Sequence, residues 1–266
     1  MNNDLVSIIT PMYKGELFVA QTIDSVRNQT YKNWEMIIVD DASPDGGKGI
    51  AVVEQYIKMD ERIKLISSEK NKGSSGARNI ALRSALGNYL AFLDSDDIWE
   101  PTYLEVMLKY INTKASTHSA IYYSSYRRMD SSCSRDVLPP YICKGEKDYK
   151  KLIYHCPIFP SAAILDKRKL KKEVYFREEL RNLRDDFVFW LDIMKQGLTA
   201  VGVEDILVQY RMRDDSLTAS KIKMIKPQWN IYRDILEMNL MRSCFYLSSW
   251  ALNGIRKYGV PKIAKR

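Results

Sequence analysis

The stretch Phe92-Leu93-Asp94-Ser95-Asp96-Asp97 places three carboxylates directly after a short apolar run that predicts a buried strand. Like charges a few ångströms apart resist joint ionisation, so this cluster needs a compensating positive charge. A divalent cation is the simplest one, because Mg²⁺ and Mn²⁺ prefer oxygen ligands and commonly combine one or two protein carboxylates with substrate phosphates. Asp94-Ser95-Asp96 therefore suits a metal–diphosphate site, and capping of the next helix by Asp96 and Asp97 is the alternative.

This stretch closes an alternation of strands and helices that begins at residue 5. Short β-branched or apolar runs predict the strands, and apolar stripes at helical spacing predict the helices between them. The predicted strands are 5–10, 35–39, 63–66 and 89–93, and the predicted helices are 16–26, 48–59 and 75–86. The rhythm implies right-handed crossovers and a mostly parallel sheet flanked by helices, which is an α/β fold.

Beyond Pro101 the pattern is less regular. It predicts a helix to about residue 113, a strand at 120–126, a polar loop around Pro139-Pro140, a strand at 161–165, a helix at 185–195 and a strand at 206–212. The alternation of the last strand places Arg211 and Arg213 on one side. We therefore divide the chain into an α/β half at 1–115, a second half at 116–225 and a helical tail at 226–266.

Polar motifs follow the predicted strands, at the sheet edge where ligands of such folds bind. Thr10-Pro11-Met12-Tyr13 follows the first strand, and Asp40-Asp41 ends the second, where either helix capping or ligand binding explains it. The basic, glycine-containing loop at 71–79 leads into a helix and suits phosphate or nucleobase binding, although it lacks P-loop spacing. Asp185-Asp186 begins a later helix, and capping explains one of the two acids better than it explains the pair.

Composition excludes several classes of protein. At 266 residues and 45% hydrophobic, the chain can bury one large core, with or without a smaller subdomain. The four cysteines lack CxxC spacing, and the first residues lack a signal-peptide pattern. No run approaches the roughly 18 apolar residues of a membrane span. These features predict a reduced, cytoplasmic protein. The chain has only two histidines, which argues against a histidine-rich zinc site and against a Ser-His-Asp triad. Carboxylates must therefore hold any metal.

The positive charge is concentrated at the C-terminal end. The net charge is +8, and residues 221–266 hold ten basic residues against two acidic ones. A basic amphipathic helix is typical of contact with an anionic membrane surface, where each Lys or Arg contributes about 1 kcal/mol. The alternative is that the apolar face packs on the rest of the protein while the charges are solvated. The acidic strand ends argue against binding of nucleic acid.

Taken together, these motifs resemble those of the family 2 glycosyltransferases, which have the nucleotide-binding GT-A fold. The resemblance extends over residues 5–219 and rests on several motifs that occur in order. The matching stretches are 6–13, 28–31, 38–43, 71–79, 92–97, 184–191 and 210–213, together with Ser216.

The resemblance implies a set of donor-binding residues. They are Pro11, Tyr13, Asp41, Arg78, Asp94, Arg211 and Arg213. Pro11, Tyr13 and Asp41 would contact the nucleotide base, Arg78 the donor, and Asp94 the ribose or the sugar. These assignments make residues 1–115 the nucleotide-sugar half and residues 116–225 the half that binds the acceptor and carries the base.

The resemblance also implies the reactive groups. Asp96 would bind Mn²⁺ or Mg²⁺ on the diphosphate, and Asp186 occupies the place of the catalytic base. Two positions depart from the common pattern: Lys14 replaces the usual Asn, and Arg213 stands where many members have His. Arg213 would therefore stabilise the leaving group as a permanent cation, and the alternative for Arg211 and Arg213 is ion pairing with nearby acids.

The motifs resemble most specifically the bacterial members that build O-antigen, capsule or wall polysaccharide on a lipid carrier. This implies an inverting transfer of a hexose, with a UDP-sugar as the expected donor, to a polyprenyl-diphosphate-linked saccharide at the inner face of the cell membrane. Two alternatives are a catalytically inactive scaffold that binds nucleotide-sugars and a sugar nucleotidyltransferase. The second lacks support, because the glycine-rich loop that such enzymes have after the first strand is absent.

Overall fold

The computed structural model describes residues 4–114, 118–180, 183–213 and 224–258. Ser216 and the last basic residues, Lys262, Lys265 and Arg266, lie outside this part of the chain. The predicted elements of the N-terminal half are present with shifted ends. They are strands β1 (Val6–Met12), β2 (Trp34–Asp40), β3 (Ile63–Ser67) and β4 (Tyr89–Phe92), and helices α1 (Val19–Arg27), α2 (Lys48–Ile57) and α3 (Gly73–Ser84).

The chain after β4 adds further strands to the same sheet. Its elements are β5 (Ile98–Trp99), α4 (Tyr103–Lys114), β6 (Ser119–Met129), β7 (Asp136–Tyr141), β8 (Gly145–Lys147), α5 (Tyr149–Tyr154), β9 (Ala163–Asp166), α6 (Asp185–Met194) and β10 (Thr199–Arg211). The strand order is β3-β2-β1-β4-β9-β6-β10-β5, with β7 beside β6 and β8 beside β10. This confirms the α/β class.

The direction of the strands changes at β9. The first four strands are parallel, as expected. β9 runs antiparallel to both β4 and β6, while β6 and β10 pair in parallel. The sheet is therefore more mixed than the rhythm of the sequence indicates, because that rhythm is lost after Pro101.

Two segments differ from the sequence-based expectation. The segment around Pro139-Pro140 was expected to be a loop and is strand β7, which pairs on one side with β6. Proline is tolerated there because an edge strand need not donate every N–H group. β10 begins at Thr199 instead of residue 206, and its register shifts between Val203 and Ile206. The bulge accommodates Glu204-Asp205, which interrupts the apolar alternation.

An aromatic cluster packs α6 against the end of β4. The Phe92 ring lies edge-on to Phe176, Phe189 and Trp190, with centroid distances of 5.9, 5.7 and 5.4 Å. Phe176 and Phe189 stack at 4.0 Å. Phe92 directly precedes the acidic stretch, and α6 begins at Asp185. The cluster therefore fixes the two acidic segments beside each other.

The C-terminal segment consists of α7 (Ile225–Asn230), a π-helical turn (Ile231–Ile235) and α8 (Leu240–Tyr258). One face packs on the protein, because Ile231 and Tyr232 are buried and Ser249 Oγ donates to the Tyr154 carbonyl at 3.2 Å. The other face of α8 exposes large apolar side chains. They are Leu240, Met241, Phe245, Leu252 and Ile255. None of the described helices is long and apolar enough to span a bilayer.

Candidate active site

One cavity of about 1050 Å³ opens at the carboxyl ends of β1, β2 and β4. All nine residues to which the sequence assigned a role line it. They are Pro11, Tyr13, Asp41, Arg78, Asp94, Asp96, Asp186, Arg211 and Arg213. The structure thus brings together residues that lie up to about 200 positions apart, while the contact of each with a ligand stays a prediction.

The β2 end of the cavity is held by short loops. Asp41 Oδ1 accepts a hydrogen bond from the Lys72 N–H at 2.8 Å, and Asn71 Nδ2 donates to the Asp41 carbonyl at 3.1 Å. Burial raises the pKa of the Asp41 carboxyl, and the N–H groups of Lys72 and Gly73 oppose this shift. Lys14 has a left-handed backbone with φ of 53°, and its N–H donates to Ser43 Oγ at 3.0 Å. These bonds preorganise the wall that carries Pro11 and Tyr13.

Arg78 is a buried cross-link between two acidic segments. Its Nη2 lies 2.6 Å from Asp94 Oδ1, and its Nη1 lies 3.4 Å from Asp185 Oδ2. The arginine is 5% exposed, so bulk water screens its pair with the buried Asp185 little, while the Asp94 side chain is 29% exposed. Arg78 therefore joins the end of β4 to the start of α6 and neutralises part of the charge of both.

The two acids at the start of α6 have different surroundings. Asp185 is buried and also accepts from Ser75 Oγ at 2.8 Å, which makes it part of the Arg78 network. Burial raises the pKa of the Asp186 carboxyl, while the charges of Arg184 and Arg78 act in the opposite direction. Arg184 adopts φ of 64°, a strained conformation for a non-glycine residue. Both acids line the cavity, and the role of Asp186 as the catalytic base stays a prediction.

The two arginines at the end of β10 lie over the same ring. The guanidinium carbons of Arg211 and Arg213 are 4.6 and 5.3 Å from the centroid of Phe18. Arg213 Nη1 donates to Asp96 Oδ2 at 3.1 Å. Arg213 thus forms the ion pair with a nearby acid that the sequence analysis gave as the alternative to leaving-group stabilisation. Arg211 Nε donates to the Asp96 carbonyl at 2.7 Å, and its Nη groups donate to the Ser131 carbonyl and to Gln21 Oε1. Arg211 thus holds the acidic loop, and its contact with a donor stays a prediction.

Comparison with known proteins agrees with this geometry. Residues 7–172 match the family model described as Glycosyl transferase family 2. The chain belongs to this family. It is therefore a glycosyltransferase, and the scaffold and nucleotidyltransferase alternatives are not needed to explain the site.

Two bacterial relatives in this family match almost the whole chain. The putative teichuronic acid biosynthesis glycosyltransferase TuaG of Bacillus subtilis (strain 168) is 33% identical over 95% of this chain and 97% of its own. The UDP-Glc:alpha-D-GlcNAc-diphosphoundecaprenol beta-1,3-glucosyltransferase WfgD of Escherichia coli is 33% identical over 97% of this chain and 96% of its own. The chain thus resembles full-length glycosyltransferases of bacterial polysaccharide synthesis.

Solved structures show the same fold. S. aureus TarS 1-349 in complex with UDP-GlcNAc aligns with a TM-score of 0.70 and 22% identity, over 98% of this chain and 76% of that one. The mannosyltransferase PcManGT from Pyrobaculum calidifontis, in complex with GDP-Man and Mn²⁺, aligns with a TM-score of 0.67 and 17% identity, over 96% of this chain and 76% of that one. The GT-A fold expected from the motifs is confirmed.

The acidic loop of this glycosyltransferase fits a hard cation that shares its coordination with a diphosphate. Burial and the charge of Asp94 raise the pKa of Asp96 to about 6, and Arg213 opposes this shift. Asp97 accepts from Ser161 Oγ at 2.5 Å and from the Arg211 N–H at 3.0 Å, so protein groups already engage its carboxylate. Within the described ranges, no group of three or more His, Cys, Asp or Glu residues is placed to hold a metal ion. The side chains of Asp94 and Asp96 offer only oxygen atoms as ligands, and a cation bound here would take further oxygen ligands from a phosphate group.

Sequence reasoning missed the far end of the cavity. This part is lined by aromatic and apolar side chains from several elements, among them Phe159, Tyr210 and Trp250. Phe159 and Tyr210 lie 4.6 Å apart, and the hydroxyl of Tyr141 is 2.8 Å from Nε2 of His155, which also lines the cavity. The apolar stripe of the tail was visible in the sequence, but nothing in its spacing connected it with the acidic motifs.

We predict opposite effects on stability for the two neighbouring acids of α6. Asp185→Asn removes a buried charge that Arg78 needs, and it should lower the free energy of unfolding by about 1–3 kcal/mol. The raised pKa of Asp186 means that its ionised form is less favourable in the folded state than in the unfolded state. Asp186→Asn removes this ionised carboxylate, so the free energy of unfolding at pH 7.5 should be unchanged or higher. Denaturant unfolding of both variants measures this, and equal losses would contradict the division of roles.

Proposed function

We propose that this glycosyltransferase moves a hexose from a UDP-sugar, with inversion, to a saccharide linked through diphosphate to a polyprenyl lipid. The observation that carries the proposal is the placement of Asp186 in the same cavity as Asp94, Asp96 and Arg213. A proton acceptor thereby faces groups suited to a sugar diphosphate. The relative WfgD and a second Escherichia coli relative, the glucosyltransferase WfaP, which is 33% identical over 96% of this chain, are named for GlcNAc-diphosphoundecaprenol as acceptor and UDP-Glc as donor, which supports the choice of substrates.

In this proposal the nucleotide lies at the β1–β2 end of the cavity. Pro11 and Tyr13 contact the base, and Asp41 accepts a hydrogen bond from it. Tyr13 is 47% exposed, so its ring is available to a ligand. Asp94 accepts from a hydroxyl of the ribose or the hexose while it remains paired with Arg78. The diphosphate then extends toward Arg213, the cation nearest the Asp96 carboxylate.

The transfer is a single displacement. An acceptor hydroxyl attacks the anomeric carbon, the bond from that carbon to the β-phosphate oxygen breaks, and nucleoside diphosphate leaves. Asp186 takes the proton of the attacking hydroxyl, and burial has already moved its pKa toward the operating pH. Arg213 stabilises the charge that develops on the leaving group without any proton transfer of its own.

The proposal includes Mn²⁺ or Mg²⁺ held by Asp96, with Asp94 nearby. When bound, the cation would neutralise charge on the departing diphosphate. The protein's part is to present two carboxylates on a loop that Arg211 and Asp97 hold in place. Arg213 would then share Asp96 with the cation or turn toward the phosphates.

We expect Asp186→Asn to lower kcat by about 10²–10⁴-fold, because the amide cannot accept the proton, while donor binding is retained. Transfer of labelled glucose from UDP-glucose to GlcNAc-diphosphoundecaprenol measures kcat, and calorimetry measures UDP affinity. In the unsubstituted enzyme, kcat should fall as pH drops through the raised pKa of Asp186, at a higher pH than an ordinary carboxyl gives.

Asp192→Asn is the matched control for that variant. Asp192 lies in the same helix, pairs with Arg177 at 2.9 Å and does not line the cavity. The kcat of this variant should stay within about twofold of the kcat of the unsubstituted enzyme, because Asp192 lies outside the cavity and the loss of its ion pair should change stability little. Full activity of Asp186→Asn would exclude Asp186 as the base.

EDTA should abolish transfer, and added Mn²⁺ or Mg²⁺ should restore it. In Asp96→Asn, the Mn²⁺ concentration that gives half-maximal activity should rise by at least about tenfold, because a carboxylate ligand is lost. Titration of Mn²⁺ into the metal-free enzyme measures this. Transfer that survives EDTA at full rate would contradict a metal-dependent mechanism.

We also propose that α8 binds the inner face of the cell membrane. Met241 and Phe245 are 81% and 60% exposed on its outer face, in a segment where basic residues outnumber acidic ones. The inner face of α8 packs on the protein, so the apolar stripe on its outer face is left to contact the lipid.

Met241→Ser combined with Phe245→Ser should weaken binding to phosphatidylglycerol-containing vesicles by about tenfold or more, because two large apolar side chains no longer enter the interface. Flotation with vesicles measures the bound fraction. Met59→Ser, an exposed methionine at the end of α2, serves as the control and should bind as before. Equal binding of the double variant and the control would count against membrane contact through α8.

A further inference from the structure

The cavity has two ends with different chemistry. The end formed by the strand ends carries the aspartates and arginines described above. The other end is formed mainly by apolar side chains, six of which are Ile158, Phe159, Met224, Ile225, Trp250 and Ile255. A nucleotide-sugar occupies the charged end in the proposed reaction, so the apolar end is left for part of the second substrate.

Trp250 and Ile255 of the apolar wall belong to α8, and α8 is fixed in place. Ser249, 6% exposed, donates from Oγ to the Tyr154 carbonyl at 3.2 Å. The buried Tyr232 packs against Tyr246 with ring centroids 5.9 Å apart. These contacts on the inner side of the helix direct the neighbouring Trp250 into the cavity. The wall is therefore part of the folded protein.

One residue belongs to both the cavity and the outer surface of α8. Ile255 lines the cavity and is 42% exposed. It is the last of the exposed residues Met241, Phe245, Leu252 and Ile255, whose spacings of four, seven and three place them on one helical face. At 1.5 Å per residue, this stripe extends for about 21 Å and ends at the cavity. An apolar path thus runs along α8 to the site of transfer.

Asp186 lines this cavity and interacts with two arginines. The charges of Arg78, on the side of the acidic loop, and of Arg184 both act on it. Arg184 lines the cavity, and its Nε donates at 2.8 Å to Oε1 of the buried Gln228 in α7, on the side of the C-terminal segment. An acceptor that places its hydroxyl at Asp186 would therefore have a cation for its diphosphate and an apolar wall beyond it.

We propose that the apolar end of the cavity, walled by Trp250 and Ile255 of α8, binds the isoprenoid units next to the diphosphate of the acceptor. The inference rests on the proposed function for the identity of the acceptor. It adds that the enzyme recognises the lipid within the active-site cavity, and not only by adsorbing to the membrane. The sugar alone, being polar, would leave this wall without a matching partner.

The test measures lipid binding separately from transfer. Undecaprenyl diphosphate, which carries no sugar, is titrated into the full chain in detergent without vesicles, so membrane adsorption does not contribute. Affinity should fall by about tenfold in Trp250→Ser and in Ile255→Ser, because each loses apolar contact area. Trp250→Phe should restore most of the affinity. Leu240→Ser, at an exposed position of α8 outside the cavity, is the matched control and should bind like the unsubstituted chain.

A second measurement uses transfer to GlcNAc-diphosphate carrying either an undecaprenyl or a hexyl tail. The ratio of kcat/KM for the long tail over the short tail should exceed one and should fall in Trp250→Ser and Ile255→Ser. Unchanged affinity and an unchanged ratio in both folded variants would overturn the inference. If the chain binds undecaprenyl diphosphate through these residues but transfers sugar to neither acceptor, the lipid site stands and the proposed function fails.

Discussion

The buried guanidinium of Arg78, held between Asp94 and Asp185, is the interaction on which the cavity depends. It joins the strand end that carries the acidic loop to the helix start that carries the candidate base. An arginine with 5% exposure cannot be left without partners, and neither can the equally buried Asp185. Two acidic segments that would repel each other are therefore kept side by side. The neighbouring Asp186 thereby comes to face the same space as Asp96.

A second network fixes the acidic loop from the other side. Asp97 accepts from Ser161 Oγ and from the Arg211 N–H, while the Arg211 side chain donates to the carbonyl of Asp96. Burial raises the pKa of Asp97 well above its ordinary range, with the charges of Asp96 and Asp94 adding to the effect. The loop thus holds several acids close together at an electrostatic cost, and the surrounding hydrogen bonds keep it in one conformation. Such a loop is suited to a bound cation.

The C-terminal segment is integrated with this site. Gln228 in α7 accepts from Arg184, the residue two positions before Asp186, and α8 forms one wall of the cavity. The exposed apolar stripe and the cavity wall are therefore parts of one helix. The sequence offered two expectations for the tail, packing on the protein and exposure of an apolar face. Both apply, because α8 has apolar residues on more than one side: one side packs on the protein and the other is exposed.

The sequence by itself determined the local structure and the family. Apolar periodicity predicted β1 to β4 and the helices between them, and the ordered motifs were specific enough to indicate family 2 and the residues that line one cavity. Only the tertiary structure decided which acid of the Asp185-Asp186 pair bonds to Arg78, that Arg211 holds the loop while Arg213 pairs with Asp96, and that α8 forms one wall of the site. The physical reason is that local spacing governs helices and strands, whereas these roles depend on contacts such as Arg78 with Asp185, 107 positions apart. The edge strand β7 and the antiparallel direction of β9, whose strand itself was predicted, escaped prediction for the same reason, since pairing is set by the neighbouring strands.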